Sequence, residues 1–293
     1  MTSLRQRMME DMQVRNLSPL TQTCYVQQVS LFARHFSKSP EVLGPEEIRS
    51  YQVYLTNEKK LAPASILIAV AALRFLYKVT LHKGWSSEDI IPAPKKPQKL
   101  PIVLSPEEVR HFLSCVASPK HRTILTTCYA AGLRVSEAAA LQVTDIDSQR
   151  MVIRVEQGKG QKDRYVMLSP RLLEILREWW RSQKPKRWLF PSDIPGRHIT
   201  RYAVEQACQE AHRASRLSKP VTPHSLRHAF AVHLLEQGTD IRRIQLLLGH
   251  RSLATTARYL RIATSKVCST TSPFDLLPQP VATESKPAAP QHF

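Results

Sequence analysis

Acidic residues are scarce in this chain of 293 residues: 24 Asp+Glu stand against 42 Lys+Arg, for a formal net charge of +18 with histidine neutral. Long apolar runs are missing, and the first fifteen residues mix acids with bases, so neither a signal peptide nor a membrane span is expected. Cysteine is limited to Cys24, Cys115, Cys128, Cys208 and Cys268. Their odd number and the absence of C-x-x-C spacing argue against a disulfide framework and a zinc knuckle, and point to a reducing compartment. A hydrophobic content of 42% excludes a disordered polycation. What is left is a folded protein of one large or two ordinary domains, with a polyanion as its expected partner.

Helix signals dominate the first ninety residues. Ser18-Pro19 reads as a cap with proline at the first helical position, followed by Tyr25, Val29, Phe32 and Phe36 at helical spacing. Gly44-Pro45-Glu46-Glu47 opens a second helix through Ile48, Tyr51 and Leu55, and Pro63 a third through Ile66, Ala69, Leu73, Leu76 and Tyr77. From Ile91 to Leu104 the chain turns to prolines with Lys95, Lys96 and Lys99 and no acid, a semi-extended basic linker. Ser105-Pro106-Glu107-Glu108 then restarts helix with a capping box.

In the second half, helix is expected from Arg122 to Ala131, stopping at Gly132, and again from Leu133 to Leu141. Met151–Val155 and Arg164–Leu168 are β-rich runs around a basic Gly158–Asp163 tip, a small hairpin. Helices fill the stretch from Ser169 to about Ile262: Thr222-Pro223 starts one that stops before Gly238, Asp240 caps one ending at Gly249, and Ser252 caps the helix holding Tyr259. The tail after about Ser265 is rich in Ser, Thr, Pro and Ala, and its apolar cluster from Ser272 to Pro278 is a candidate docking peptide. The fold class expected is mainly α with a small β-sheet, α+β.

His224 and Arg227, three apart on one helix, present donors together, opposite an apolar stripe of Leu226, Phe230 and Leu234. An arginine fork and a histidine suit an oxyanion that gains charge during reaction. His250 follows Gly249 at a turn, and the cap at Ser252 fixes its relation to Tyr259 nine residues on. A phenol, with a pKa of about 10, needs neighbouring cations to attack near neutral pH. Arg134 follows the stop at Gly132, with Glu137 one turn on as either a supporting partner or a solvated charge, and Lys159 sits between two glycines, where its ammonium could protonate a leaving oxygen. Lys162 and Arg164 read as phosphate or surface contacts. His224 and His228 are four apart, as zinc ligands on a helix would be, but no third ligand is evident, and His228 reads as structural. Arg177, Arg181, Lys184, Lys186 and Arg187, interleaved with Trp179, Trp180 and Trp188, fit a DNA-facing patch and a helix end with core aromatics equally well.

Taken in order, Arg134, Lys159, His224-Ser-Leu-Arg227, Leu248-Gly249-His250 and Tyr259 resemble the motifs of the tyrosine recombinase (phage integrase) family, along the whole chain and closest to members encoded by bacterial mobile elements. The resemblance implies a helical, SAM-like core-binding domain at 1–92, a linker at 93–103, a catalytic domain at 104–264 and a tail at 265–293, the two domains closing as a C-shaped clamp on DNA. It implies that Arg134 and Arg227 clamp the scissile phosphate, His224 and His250 assist, Lys159 protonates the 5′-oxygen and Tyr259 attacks, with no cofactor and no metal. Lys95, Lys96, Lys99, Lys162 and Arg164 are the expected DNA contacts. The implied partners are double-stranded DNA and a homotetramer on two synapsed sites, with room for accessory DNA-bending or transposase proteins, in a bacterial cytoplasm at the nucleoid. The rival readings are a non-enzymatic DNA-binding regulator, which gives no reason for these residues to occur together, and a type IB topoisomerase-like strand transferase, which shares the chemistry without synapsis.

Overall fold

A computed structural model describes residues 2–85, 91–94, 102–156 and 163–262. The chain divides into two compact units between Lys99 and Leu100, inside the stretch expected to be linker.

The first unit is a small helical bundle: α1 (Ser3–Val14), α2 (Pro19–Phe36), α3 (Pro45–Asn57) and α4 (Pro63–Phe75), the last continuing as a π turn at Leu76–Thr80. Helix α1 is absent from the sequence reading. Its buried residues Leu4, Met8 and Met12 recur every four positions, a narrow stripe among charged neighbours, and Thr2 caps it by accepting the Arg5 N–H. The other three helices start where the prolines place them, and Ser18 accepts the Thr21 N–H at 3.2 Å. The segment Pro63–Thr80 is by length and composition apolar enough to cross a membrane. Here it is a core helix, with Ile66, Ala69, Val70, Leu73, Leu76 and Tyr77 packed in the bundle interior. The Tyr77 hydroxyl closes that core by hydrogen-bonding the carbonyls of Pro40 and Leu43 at 2.9 and 3.2 Å.

The second unit begins with α5 (Pro106–Ser114), whose capping box is complete: Ser105 accepts the Glu108 N–H while Glu108 accepts the Ser105 N–H. Then come α6 (Pro119–Ala130) and α7 (Val135–Ala139). The helix expected over Leu133–Leu141 shrinks to this single turn, because Arg134 is its extended N-cap. The hairpin forms as β2 (Val152–Val155) against β3 (Arg164–Met167), antiparallel with Ile153 opposite Val166. A third strand, β1 (Ile146–Asp147), pairs with the far edge of β2; two residues are too few to show a period-2 pattern. The hairpin tip, with Lys159 and Lys162, lies outside the described residues, as do Lys95, Lys96, Lys99, Cys268 and the tail with its Ser272–Pro278 cluster.

Helices α8 (Pro170–Gln183), α9 (Arg201–Ser215), α10 (Pro223–Glu236), α11 (Ile241–Leu248) and α12 (Leu253–Ala257) follow, the last running into a 3₁₀ turn at Arg258–Arg261. Not all of this stretch is helical, since isolated bridges pair Gln142 with Trp188 and Pro191 with His198. The tryptophan-rich patch splits: Trp179 is buried and donates its indole N–H to the Leu189 carbonyl, whereas Trp180 is exposed and Arg187 stacks over Trp188. Cys24, Cys115, Cys128 and Cys208 are free thiols. Two αL glycines, Gly132 after α6 and Gly249 after α11, end the helices from which the site is built.

Candidate active site

Helix α10 passes through the centre of the second unit and is buried on nearly every side, so the expected division into a polar face and an apolar stripe does not hold. His224 is open to solvent, but Arg227 keeps 3% exposure. Its guanidinium donates Nη1 to the Gly132 carbonyl at 2.5 Å and Nη2 to the Leu248 carbonyl. The Leu248 carbonyl is the last of α11, without an intrahelical partner and at the negative end of that helix dipole, whereas Gly132 lies in the turn just past the cap of α6. Burial, and next the Arg134 charge, pull the Arg227 pKa down to about 10, still cationic at neutral pH.

The end of α11 holds a second arginine in the same way. Arg164 donates Nε to the Leu247 carbonyl at 3.1 Å and closes its two other nitrogens on Glu137 at 3.0 and 2.8 Å. The expectation that Arg164 contacts DNA phosphate is therefore corrected: its side chain is 11% exposed and its donors face inward. Glu137 also accepts Arg134 Nη1 at 2.6 Å and the Arg134 N–H at 2.8 Å, and lies 3.7 Å from Arg227. Burial pushes the Glu137 carboxyl up, but the hydrogen bonds and charge of Arg164, with those of Arg134, outweigh it and hold the pKa at about 2. Of the two readings left open for Glu137, the buried partner is the one observed.

Tyr259, in the 3₁₀ turn after α12, is 1% exposed. Its hydroxyl lies 2.8 Å from Nδ1 of His228, and its ring lies parallel to that of His250 with centroids 6.5 Å apart. Burial raises the Tyr259 pKa, against the opposing pull of Arg227, Arg258 and Arg134. His250 Nδ1 is 2.9 Å from the hydroxyl of Thr256, a fully buried residue. Burial first, then Arg227, Arg134 and Arg258, push the His250 pKa down to about 3, so its ring is neutral at physiological pH. The His224 pKa is also lowered, by desolvation and then by Arg201, Arg227 and Arg134.

Five of the six expected catalytic residues, Arg134, His224, Arg227, His250 and Tyr259, thus share one electrostatic site, while Lys159 lies outside the described residues. Three further members were not assigned there from sequence. Thr256 carries no signal short of the fold, Arg164 follows the basic hairpin tip and reads as a phosphate or surface contact, and His228, next to Arg227, reads as structural. Among the described residues no cluster of His, Cys, Asp or Glu could hold a metal ion. A buried phenol beside neutral imidazoles, with two arginines held by helix-end carbonyls and one carboxylate, suits attack on an anionic phosphodiester.

That chemistry and this fold define a phosphoryl-transferring DNA strand transferase of the recombinase type. The chain belongs to the phage integrase family: the family model matches residues 103–266, and the N-terminal SAM-like domain of phage integrases matches residues 4–87. It is a tyrosine-type site-specific recombinase. It is 71% identical over its whole length to y4qK, a candidate integrase/recombinase of Sinorhizobium fredii, covering 95% of that protein. It is 32% identical to the tyrosine recombinase XerD of Lacticaseibacillus casei, over 85% of this chain and 90% of XerD. XerH recombinase in a post-cleavage complex with a difH substrate shares the fold at a TM-score of 0.70 and 23% identity, with 88% of this chain and 80% of XerH aligned. A λ integrase dimer on a core site shares it at 0.69 and 19%, with 92% and 79% aligned.

Proposed function

We propose that Tyr259 attacks a phosphodiester of double-stranded DNA to form a 3′-phosphotyrosine, and that a 5′-hydroxyl from a partner duplex attacks this in turn, so that strands exchange through a Holliday junction. The observation that carries the reading is the Tyr259 hydroxyl, buried among imidazoles and within the field of Arg227 and Arg134. In this reading the two arginines neutralise the phosphate oxygens, His224 and His250 donate to them, and Lys159 protonates the 5′-oxygen, its role in the family pattern. The bond energy is kept in the phosphotyrosine, so no nucleotide cofactor is required. The working unit is a homotetramer on two synapsed sites, with Lys95, Lys96, Lys99 and Lys162 as further phosphate contacts, and the biological setting is movement of a mobile element. Similarity to integrase/recombinase relatives over 88 to 100% of the chain supports that setting.

The test is a denaturing gel of wild type and Tyr259→Phe after incubation with labelled, centrally nicked duplexes tiled across the DNA flanking the gene. A denaturant-resistant adduct with wild type alone is expected. An adduct with Tyr259→Phe would refute the nucleophile, and tight binding to one fragment with no adduct would favour a DNA-binding regulator. Arg227→Ala should slow adduct formation by roughly 10² to 10³-fold, the scale seen on losing one transition-state donor. With a net charge of +18, DNA affinity should fall steeply between about 50 and 200 mM salt, and a flat dependence would count against phosphate neutralisation.

A further inference from the structure

The hydroxyl of Tyr259 is engaged by a residue outside the six expected ones. Helix α10 sends Arg227 and His228 in different directions: Arg227 to the carbonyls of Gly132 and Leu248, His228 to the phenol, 2.8 Å from Nδ1 to the hydroxyl oxygen. The two rings are 5.7 Å apart and tilted by 56°. His250, the other imidazole against Tyr259, lies parallel to its ring and has its Nδ1 at Thr256.

Resting on the reading that Tyr259 is the nucleophile, we propose that Nδ1 of His228 is the general base that removes the phenol proton and returns it when the strand is rejoined. As Tyr259 Oη bonds to phosphorus, its proton passes to His228, the P–O5′ bond breaks, and its electron pair leaves on the 5′-oxygen, which takes a separate proton from Lys159. His228 is an imidazolium while the phosphotyrosine lasts. In the return step the incoming 5′-hydroxyl bonds to phosphorus and gives its proton to Lys159, the phenolate leaves, and His228 reprotonates it.

The surroundings suit the role. Burial first, then His224, Arg258 and Arg227, push the His228 pKa down to about 4, so the ring is neutral and its lone pair available. Tyr259, its pKa raised by burial, stays protonated at neutral pH and needs an acceptor. A base that is weak in the resting site gains strength once a phosphodiester anion offsets those arginines.

The test uses the full chain and the nicked duplex that gives an adduct with wild type. His228→Asn keeps an acceptor near the phenol but cannot carry a proton. It should bind the duplex as wild type does and form adduct at least about 10²-fold more slowly near pH 7. The deficit should shrink as pH approaches the range in which solvent ionises the phenol, and imidazole in the buffer should restore part of the rate of His228→Ala. A wild-type rate in His228→Asn would overturn the proposal, as would a deficit that neither pH nor imidazole moves, which marks a purely structural role. Should both variants fail to fold, the wild-type profile decides: a rate flat between about pH 7 and 8.5 is expected, and a tenfold rise per pH unit would show solvent hydroxide acting instead. Failure of wild type to form any adduct, or its formation by Tyr259→Phe, would overturn the nucleophile itself, a result distinct from all of these.

Discussion

Arg164 closes both forks of its guanidinium on one carboxylate, Glu137, reached from 27 residues away at 2.8 to 3.0 Å. The same carboxylate holds Arg134 at 2.6 Å and faces Arg227 at 3.7 Å, so a single negative charge stands among three buried or half-buried arginines. Bidentate geometry fixes the plane of the guanidinium as well as its distance.

Removing that charge leaves the arginines to repel one another in a desolvated setting. Glu137→Ala should destabilise the second unit by ~3–5 kcal/mol, the usual cost of breaking a buried ion pair from one side. Arg164→Lys, which keeps the charge but loses the fork, should cost less stability while still slowing adduct formation. Denaturant unfolding and single-turnover adduct formation on the same preparations check both; a surface-like loss under about 1 kcal/mol in Glu137→Ala would contradict the buried pairing.

Gly249 is required by what lies above it as well as by its own backbone. At φ 61° it occupies the left-handed region, and an added Cβ would stand 2.9 Å from Arg164 Cδ. Gly249→Ala should therefore move Arg164 off Glu137 and the Leu247 carbonyl, losing activity out of proportion to any loss of DNA binding. Gly196 is the control, since its positive φ carries the same backbone strain with nothing within 4 Å. Equal effects of Gly249→Ala and Gly196→Ala on adduct formation would show that backbone strain alone matters.

Thr256 meets His250 with a hydroxyl 2.9 Å from Nδ1, inside a turn that leaves Thr256 no solvent. A hydroxyl there fixes the ring's orientation, and when it donates, the ring proton sits on the other nitrogen, available to a phosphate oxygen. Thr256→Val, equal in shape, should slow adduct formation by about tenfold or more, as expected for a supporting partner, while Thr256→Ser restores it. Retained activity in the valine variant would show that packing alone holds His250.

The legible parts of this molecule were those written in local chemistry. Proline-marked helix starts, the Ser105 capping box and the β-rich composition of the two longer strands all rest on neighbours in sequence, and each appears where expected. Five site residues were legible because their ordered spacing matches a known pattern. Helix α1 was missed because three buried side chains among charges make a faint stripe, and β1 because two residues carry no period. Arg164 was misread because a basic residue near a glycine-rich tip looks solvated until the fold brings Glu137 and the end of α11 to it. His228 looked structural because the sequence cannot show that Tyr259, 31 residues on, returns to meet it.

Acid should weaken the catalytic unit in two stages set by the site itself. His228 and His250, with pKa values of about 4 and about 3 in the folded protein, lie below the ordinary 6.5, so the unfolded chain binds more protons as pH falls through 6.5. Stability therefore declines from about pH 6.5 downward, in the same direction as the lowered His121 and His224 contribute. Glu137 adds the second stage: its carboxyl, at about 2 when folded and 4.5 as its ordinary value, stabilises the fold above 4.5 and loses that contribution as pH falls toward 2. Denaturant midpoints followed from pH 7 downward should show the decline beginning near 6.5, and replacing both His228 and His250 with Asn should remove part of the slope above pH 4.5 while leaving the Glu137 stage in place. An unchanged slope in the double variant would mean that the two imidazoles are not held neutral by the site.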